Sequence, residues 1–449
     1  MIWNKRFKNQ FGNAYIMQKE KNQIKKVTAA LIGAGQRGAG AYAPYALKNP
    51  EELQFVAFAE ADPERRELFQ KAHCIQDANC FSNWEELLEG PKLADAILIC
   101  TQDNMHFEPA KKALEKGYHV LLEKPMSPDP LECIIMGEYA EKYQRVFSIC
   151  HVLRYTDFFA RIKKMITDGK IGKLISIQHT ENVEHRHQAH SFVRGNWRDS
   201  EVSSPMILAK SCHDMDILQW IVDSDCTKVS SFGSLTYFRK ENAPEGAPKY
   251  CLDGCPVKDE CPYYAPKMYI ERDDWVGEVL RTVVSNNTSD EGVLRELKEG
   301  PYGRCVYHCD NNVVDHQVVN LEFANEVTVA FTMSAFTYEG GRSVKLMGTH
   351  GQIRGDMEKN IIEVTSFVTR ETEVINLDVD MEGHGGGDTG IMRDFVRLVQ
   401  SEGKEKGLTG ADVSVKSHLI AFAAEKSRLE SKVIRMKDYI SELKKQDFR

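Results

Sequence analysis

From residue 25 onward the chain alternates short, wholly apolar runs with longer segments whose apolar positions recur every three or four residues. The runs are Val27–Ile32, Phe55–Ala59, Ala96–Cys100, His119–Leu122 and Val146–Cys150. Runs this short and continuous predict strands buried on both faces, as in a parallel sheet. The segments between them, Pro63–Ala72, Trp84–Leu88, His106–Lys116 and Leu131–Tyr143, predict the crossover helices of βαβ units. Ser82-Asn83 before Trp84, and Asp103-Asn104 before His106, offer side chains that cap helices.

Beyond Leu153 the pattern changes. A helix over Asp157–Asp168 leads through Gly169 and Gly172 into a strand over Lys173–Thr180. A polar, histidine-rich stretch follows, then a helix from about Pro205 to Val222. Lys228–Tyr237, Gln317–Phe323, Glu326–Phe331, Ser343–Gly348 and Ile361–Phe367 predict strands. Several alternate in polarity and meet at short turns such as Phe323-Ala-Asn-Glu326, the pattern of antiparallel pairs. Helices return over Thr389–Gln400 and Gly410–Ser431. The expected fold is α/β: a parallel-sheet domain over 25–151, then an α+β domain over 152–449 on a large open, mainly antiparallel sheet. Residues 239–309, rich in Pro, Cys, Gly and Tyr, read as an insertion in the second domain.

The first strand runs directly into Gly33-Ala34-Gly35-Gln36-Arg37-Gly38, and a segment able to be helical follows as far as Leu47. In a strand–loop–helix setting this spacing predicts a Rossmann dinucleotide site. Gly33 permits the sharp turn, Gly35 lets a pyrophosphate approach the backbone at Gln36, and Gly38 lets helix and strand pack closely. Pro44 is expected to kink the helix. Glu60, at the end of the second strand, can accept hydrogen bonds from both ribose hydroxyls and repels a 2′-phosphate, so NAD is favoured over NADP. Asp62 is the rival for that role or the cap of the next helix, and Arg37 keeps NADP open because a guanidinium can hold a phosphate.

A chain of 449 residues exceeds one ordinary core, in line with two domains. No apolar run approaches the roughly 20 residues that cross a bilayer. The net charge of −8 and the lack of a basic patch interleaved with aromatics argue against nucleic acid. Residues 1–24 read as a polar extension without the pattern of a signal peptide, with Met17 an alternative start. A cytoplasmic setting follows, in which the twelve cysteines are not expected to form disulfides. Cys100 and Cys150 read as core residues.

Glu123-Lys124-Pro125 closes the segment Gly117-Tyr-His-Val-Leu-Leu-Glu-Lys-Pro125. With Thr101-Gln-Asp-Asn-Met-His106 upstream, the chain resembles the Gfo/Idh/MocA family of oxidoreductases. The resemblance continues through Arg154, Gly169-Lys-Ile-Gly172, Cys212-His213-Asp214-Met215-Asp216 and Gly348-Thr-His-Gly351. It implies a Rossmann domain, a C-terminal domain whose open sheet makes a homodimer or homotetramer, and NAD(P)-dependent chemistry on sugars or cyclitols. It places Thr101, His106, Glu123 and Lys124 beside the cofactor, with Lys124 near the reacting hydroxyl, where an ammonium stabilises an alkoxide. It makes His213 the proton acceptor. Many members carry an Asp four residues before this histidine; here Ala209 stands there, followed by Lys210. On one helix Lys210 and His213 share a face, so Lys210 joins Lys124 and His213 as a catalytic candidate handling the proton, and a second cation would favour the neutral imidazole. Asp214 and Asp216 are the carboxylates that could replace the missing one.

The stretch with His185, His187, His190, Arg194, Trp197 and Arg198 reads as a loop over a polyhydroxylated ligand. Arg154, His190, Arg194, Trp197 and His384 are the expected substrate contacts, and Asp388 after the glycines at 385–387 can also cap a helix. Cys251-x3-Cys255-x5-Cys261 and Cys305-x3-Cys309 offer thiolates for a structural zinc, taken as Cys251, Cys255, Cys261 and Cys309, or for an iron–sulfur cluster. Two activities fit these residues. One is an NAD-dependent dehydrogenase; the other is a glycosidase in which NAD is reduced and reoxidised within each turnover. A non-catalytic NAD-binding sensor is a third reading, disfavoured by the presence of both Lys124 and His213.

Overall fold

The computed structural model describes residues 25–272, 275–378 and 382–446, so the 1–24 extension lies outside the described residues. The first sheet contains β1 (Val27–Ile32), β2 (Leu53–Ala59), β3 (Cys80–Phe81), β4 (Ala96–Ile99), β5 (His119–Leu122) and β6 (Phe147–Ile149). All neighbours are parallel in the order β3-β2-β1-β4-β5-β6. The order reverses direction between β1 and β4, which opens a crevice at their C-terminal ends. β4 and β5 are buried at every position, as continuous apolar runs require. The two-residue β3 is too short to leave a periodic signal.

The second sheet adds β7 (Leu174–Asn182), β8 (Cys226–Ser234), β9 (His316–Phe323), β10 (Thr328–Ser334), β11 (Gly341–Gly348), β12 (Gly351–Asp356), β13 (Ile361–Ser366), β14 (Thr372–Asn376) and β15 (Ile434–Arg435). Its order is β14-β13-β12-β11-β7-β10-β9-β8-β15, and every pair is antiparallel except β7 with β10. The predicted hairpin joins β9 to β10, with Glu326 at φ +68° in the turn. Strands β12, β14 and the two-residue β15 are additions to the sequence reading. Residues alternate between buried and exposed along β9 and β10, so one face is packed and the other is open. Phe232 and Val318 are paired on that open face, and Phe232 is 64% exposed.

The helix Ala411–Glu430 packs on β8, on the helix Cys212–Val222 and on the first domain's Pro130–Tyr143. The helix Gly387–Gln400 likewise packs against β1 and the turn Val152–Tyr155. These C-terminal helices tie the two sheets together. The insertion has its own apolar cluster, with Phe238, Tyr269, Val293, Leu297 and Val306 closing over Ala189 and Val193.

Two predicted helices differ in form. After Gly35 the chain makes a wide π-helical turn over Gln36–Tyr42, and a new helix starts at Pro44. Proline therefore occupies the first position, where its missing N–H costs nothing, and produces no kink. The helix expected over Pro205–Val222 breaks: Met206–Ala209 ends at Lys210, and Cys212–Val222 begins after Ser211.

Candidate active site

The glycine loop has the shape a dinucleotide needs. Gly33 sits at φ +88°, and a Cβ there would meet the carbonyl of Cys100 across the β1–β4 crevice. A Cβ on Gly38 would fall on the Gly33 carbonyl oxygen. At Gly35 the only heavy atom near a Cβ is Arg65 Nη1, 3.8 Å away, which leaves the backbone approachable. Glu60 follows β2; its Oε2 accepts the Ala34 N–H at 2.6 Å and its Oε1 the Asp62 N–H at 2.9 Å. One carboxylate thus holds the loop while lying where the ribose role was expected. Asp62 caps the helix Pro63–His73 by accepting the Arg65 N–H, which settles its role as the cap.

Arg37 does not point to a second phosphate. Its Nε donates to Glu123 Oε1 at 2.7 Å, and its Nη2 to Asp388 Oδ1 at 2.7 Å and to Tyr42 Oη at 2.5 Å. Tyr42 in turn donates to Glu123. Burial pushes the Glu123 carboxyl up, but Arg37 and Lys124 outweigh it and hold it below the ordinary range. Asp388 is also held well down against burial, by His384 and Arg37. Asp388 is not a helix cap, since Gly386 occupies that position. It joins the glycine loop to the second domain.

His106 supports the site from behind. It is fully buried, with Nδ1 2.8 Å from the Pro125 carbonyl and Nε2 3.1 Å from that of Thr101. Both ring nitrogens face backbone carbonyls, so His106 ties the Thr101 and Pro125 loops together. Asp103 was expected to cap; instead it accepts from Ser203 and Ser204 at 3.0 and 2.7 Å and from Trp197 Nε1 at 3.3 Å. That brings Trp197 to the Thr101–His106 loop.

Lys124 follows β5, joined to Pro125 by a cis peptide bond. Its Nζ donates to the Ala209 carbonyl at 2.9 Å, at the end of the short helix before the break. His213 lies on the far side of that break, 7% exposed, and its Nδ1 has no hydrogen-bond partner. Burial first, then Lys124, His151, Arg342 and His384, press its pKa well below the ordinary value. That environment favours the neutral imidazole. The break turns Lys210 away from the shared helical face; its Nζ lies 3.2 Å from Glu181 Oε1. The same Glu181 faces Arg342 at 2.8 Å, and Arg342 binds Asp214. Asp214 also takes His179 Nε2 at 2.8 Å. Asp216 is clamped by Arg154 through two bonds of 2.7 Å. Neither carboxylate is free to replace the missing one.

Three expected substrate contacts belong to the scaffold. Arg154 gives its remaining bond to the Leu408 carbonyl at 2.7 Å and is 3% exposed. Arg194 is fully buried and donates to the carbonyls of Arg304 and Tyr263, both at 2.7 Å, with Nη1 3.2 Å from the Met268 sulfur. His190 stacks on Tyr302 and faces the Tyr269 hydroxyl at 3.1 Å. The histidine-rich turn is the floor of the insertion, because its apolar side needed a partner that only the insertion supplies. His384, by contrast, is at the site, its ring 6.4 Å from that of His213 and its Nδ1 3.1 Å from Asp388.

The expected zinc is not supported. Among the described residues, no three His, Cys, Asp or Glu side chains are grouped to hold a metal ion. Cys251, Cys255, Cys261 and Cys305 line a small apolar pocket with Tyr263 and Tyr264, while Cys309 turns away to donate to the Cys305 carbonyl at 3.3 Å. The sequence reading missed His151 and His418, both fully buried. The signal for His151 was its place directly after β6, at the carboxyl edge of the sheet, where α/β sites gather.

A Rossmann sheet with an open glycine loop, joined to a mixed-sheet domain that brings a buried histidine toward a strand-end lysine, defines an oxidoreductase architecture. The chain belongs to the Gfo/Idh/MocA family. Residues 27–151 match the oxidoreductase family's NAD-binding Rossmann fold, and residues 163–434 match its C-terminal alpha/beta domain. It is 23% identical over 408 residues to YteT of Bacillus subtilis (strain 168), named as an oxidoreductase, covering 86% of this chain and 92% of that one. The 2,7-anhydro-N-acetylneuraminate hydratase of Mediterraneibacter gnavus (strain ATCC 29149 / DSM 114966 / JCM 6515 / VPI C7-9) is 25% identical over 211 residues, 47% of this chain and 53% of that one. Scyllo-inositol dehydrogenase from Lactobacillus casei, solved with NAD(H) and scyllo-inositol, shares the fold at a TM-score of 0.64 and 15% identity, over 92% of this chain and all of that one.

Proposed function

We propose that the chain is an NAD-dependent dehydrogenase acting on a secondary hydroxyl of a sugar, sugar derivative or cyclitol. The observation that carries this reading is the convergence of Lys124 on the helix break before His213, beside the mouth of the β1–β4 crevice. In this reading Gly35 and Gln36 receive the pyrophosphate, and Glu60 binds the ribose and selects NAD over NADP. Thr101 and Glu123 border the nicotinamide end. When bound, NAD supplies the hydride acceptor. Lys124 holds the reacting oxygen and lowers the cost of its negative charge, and His213 takes the hydroxyl proton. Lys210, steadied by Glu181, with Trp197 and His384, borders the substrate.

The two-domain division near residue 151, assembly through the open face carrying Phe232 and Val318, and a reducing compartment belong to the same reading. All twelve cysteines are free. Among the described residues no helix is long and apolar enough to cross a membrane.

A second reading has a specific support. The hydratase relative, together with Ala209 where many members carry a carboxylate, favours elimination and addition with NAD reduced and reoxidised in each turnover. The test is incubation of the protein with NAD and a panel of cyclitols, sugars and aryl glycosides. Reduced-nicotinamide absorbance and aglycone release are followed together. Net NADH without aglycone supports the dehydrogenase; aglycone without net NADH supports the alternative and overturns the first reading.

A further inference from the structure

Among the described residues, three buried ring nitrogens without hydrogen-bond partners meet at one place: Nδ1 and Nε2 of His151, and Nδ1 of His213. Leaving a buried polar atom unpaired is costly, so three together call for a function or an ordered water. The two rings stand edge to face with centroids 5.9 Å apart. His151 Nε2 lies 3.8 Å from Asp216 Oδ1, beyond a direct hydrogen bond. Arg154 bonds to both oxygens of that carboxylate and Ser417 Oγ donates to Oδ1 at 3.3 Å, so it keeps its charge and its position.

We propose that His151 is the positioning residue behind His213: it takes up the positive charge His213 acquires, against Asp216. The inference rests on the dehydrogenase reading. In that reading bound NAD would supply the hydride acceptor, and the substrate hydroxyl proton would go to His213. The Nδ1 proton of His213 can then pass to His151 through one bridging water. The charge rests beside Asp216 until the proton returns to solvent, leaving both rings neutral.

His384, backed by Asp388, stands on the substrate side of His213 with its ring 6.4 Å away, and the groups around His151 itself offer no other acceptor. His418, with its ring centroid 5.3 Å from that of His151, accepts the Met126 N–H at Nε2 and lies 2.8 Å from the Ser414 carbonyl at Nδ1. That arrangement fixes a neutral tautomer with no lone pair to spare. Arg154 and Lys124 face His151 as cations that cannot accept a proton, and Glu123 is already occupied by Arg37 and Tyr42. Burial, Arg154 and Lys124 lower the His151 pKa to about 4 although Asp216 opposes them, so the ring starts neutral.

The test compares wild type with His151→Phe, which keeps an aromatic ring of similar size, and with His151→Gln, which restores a donor and an acceptor. Thermal unfolding and NADH fluorescence titration report fold and cofactor binding. Expected for His151→Phe is a fall in kcat of about 10- to 100-fold, NADH affinity within about twofold, and a larger solvent deuterium isotope effect. His151→Gln should recover part of the loss, and it carries the test alone if the Phe variant does not fold. In the free protein, ring-nitrogen NMR should show the His213 titration moved in the variants. Unchanged kcat and isotope effect, or an unmoved His213 titration, would overturn the inference. Absence of hydride transfer in wild type would instead sink the dehydrogenase reading, while the NMR arm still decides whether His151 and His213 are linked.

Discussion

Lys124 donates to the carbonyl of Ala209 at 2.9 Å, so the lysine that ends β5 is tied to the helix break that presents His213. A backbone acceptor, not a side chain, makes the link. In the proposed reading the substrate oxygen replaces or shares this bond.

Arg37 bridges two buried carboxylates, Glu123 and Asp388, from different domains. Arg37→Met is expected to leave Glu123 with only Tyr42 and Lys124 and Asp388 with only His384, and to destabilise the protein by about 2–4 kcal/mol. Denaturant unfolding measures it. A loss under about 1 kcal/mol would mean the pair is relaxed by solvent.

Glu60 holds the loop through Ala34 and is assigned to the ribose. Glu60→Ser removes the charge that repels a 2′-phosphate. It should weaken NAD binding about tenfold and narrow the preference over NADP by at least as much. Calorimetric titration of both nucleotides reads the ratio; an unchanged ratio refutes the assignment.

Arg194 separates scaffold from ligand contact. Arg194→Met leaves the Arg304 and Tyr263 carbonyls without their buried donor, at a cost of about 2–4 kcal/mol. Stability should fall while KM for substrate stays within about twofold. A selective rise in KM at constant stability would return Arg194 to the substrate site.

The fold was largely legible because continuous apolar runs and alternating strands report burial locally. β4 and β5 were plain in the sequence; β3 was not, because two residues carry no period. At the site, Lys124, His213 and the glycine loop sat on recognisable local spacings. Roles set by distant partners were hidden. Nothing near Arg154 in sequence announces Asp216, and nothing near Arg194 announces Arg304. Such charged residues looked available for substrate when the chain had already used them. The broken helix at Lys210 was missed because its apolar periodicity continues across the break.

Burial lowers His151 to about 4 and His418 to about 3, below the ordinary histidine value near 6.5 in an unfolded chain. Between those values the unfolded state binds more protons, so stability falls as pH drops below about 6.5. The loss approaches about 1.4 kcal/mol per pH unit for each histidine and ends once pH is below the folded values. Unfolding measured from pH 7 to 4.5 should show the slope, and His151→Phe should remove one histidine's share. A flat profile would mean the rings are solvated.

The most direct test loads wild type and Lys124→Ala with NAD and mixes each rapidly with the active substrate from the polyol and sugar panel, following reduced-nicotinamide absorbance through the first turnover. The expected result is one equivalent of reduced cofactor in wild type, and a first-turnover rate at least about 100-fold slower in the variant at equal NAD occupancy. Equal rates in the two proteins would contradict the assignment of Lys124 to the reacting oxygen, and with it the site.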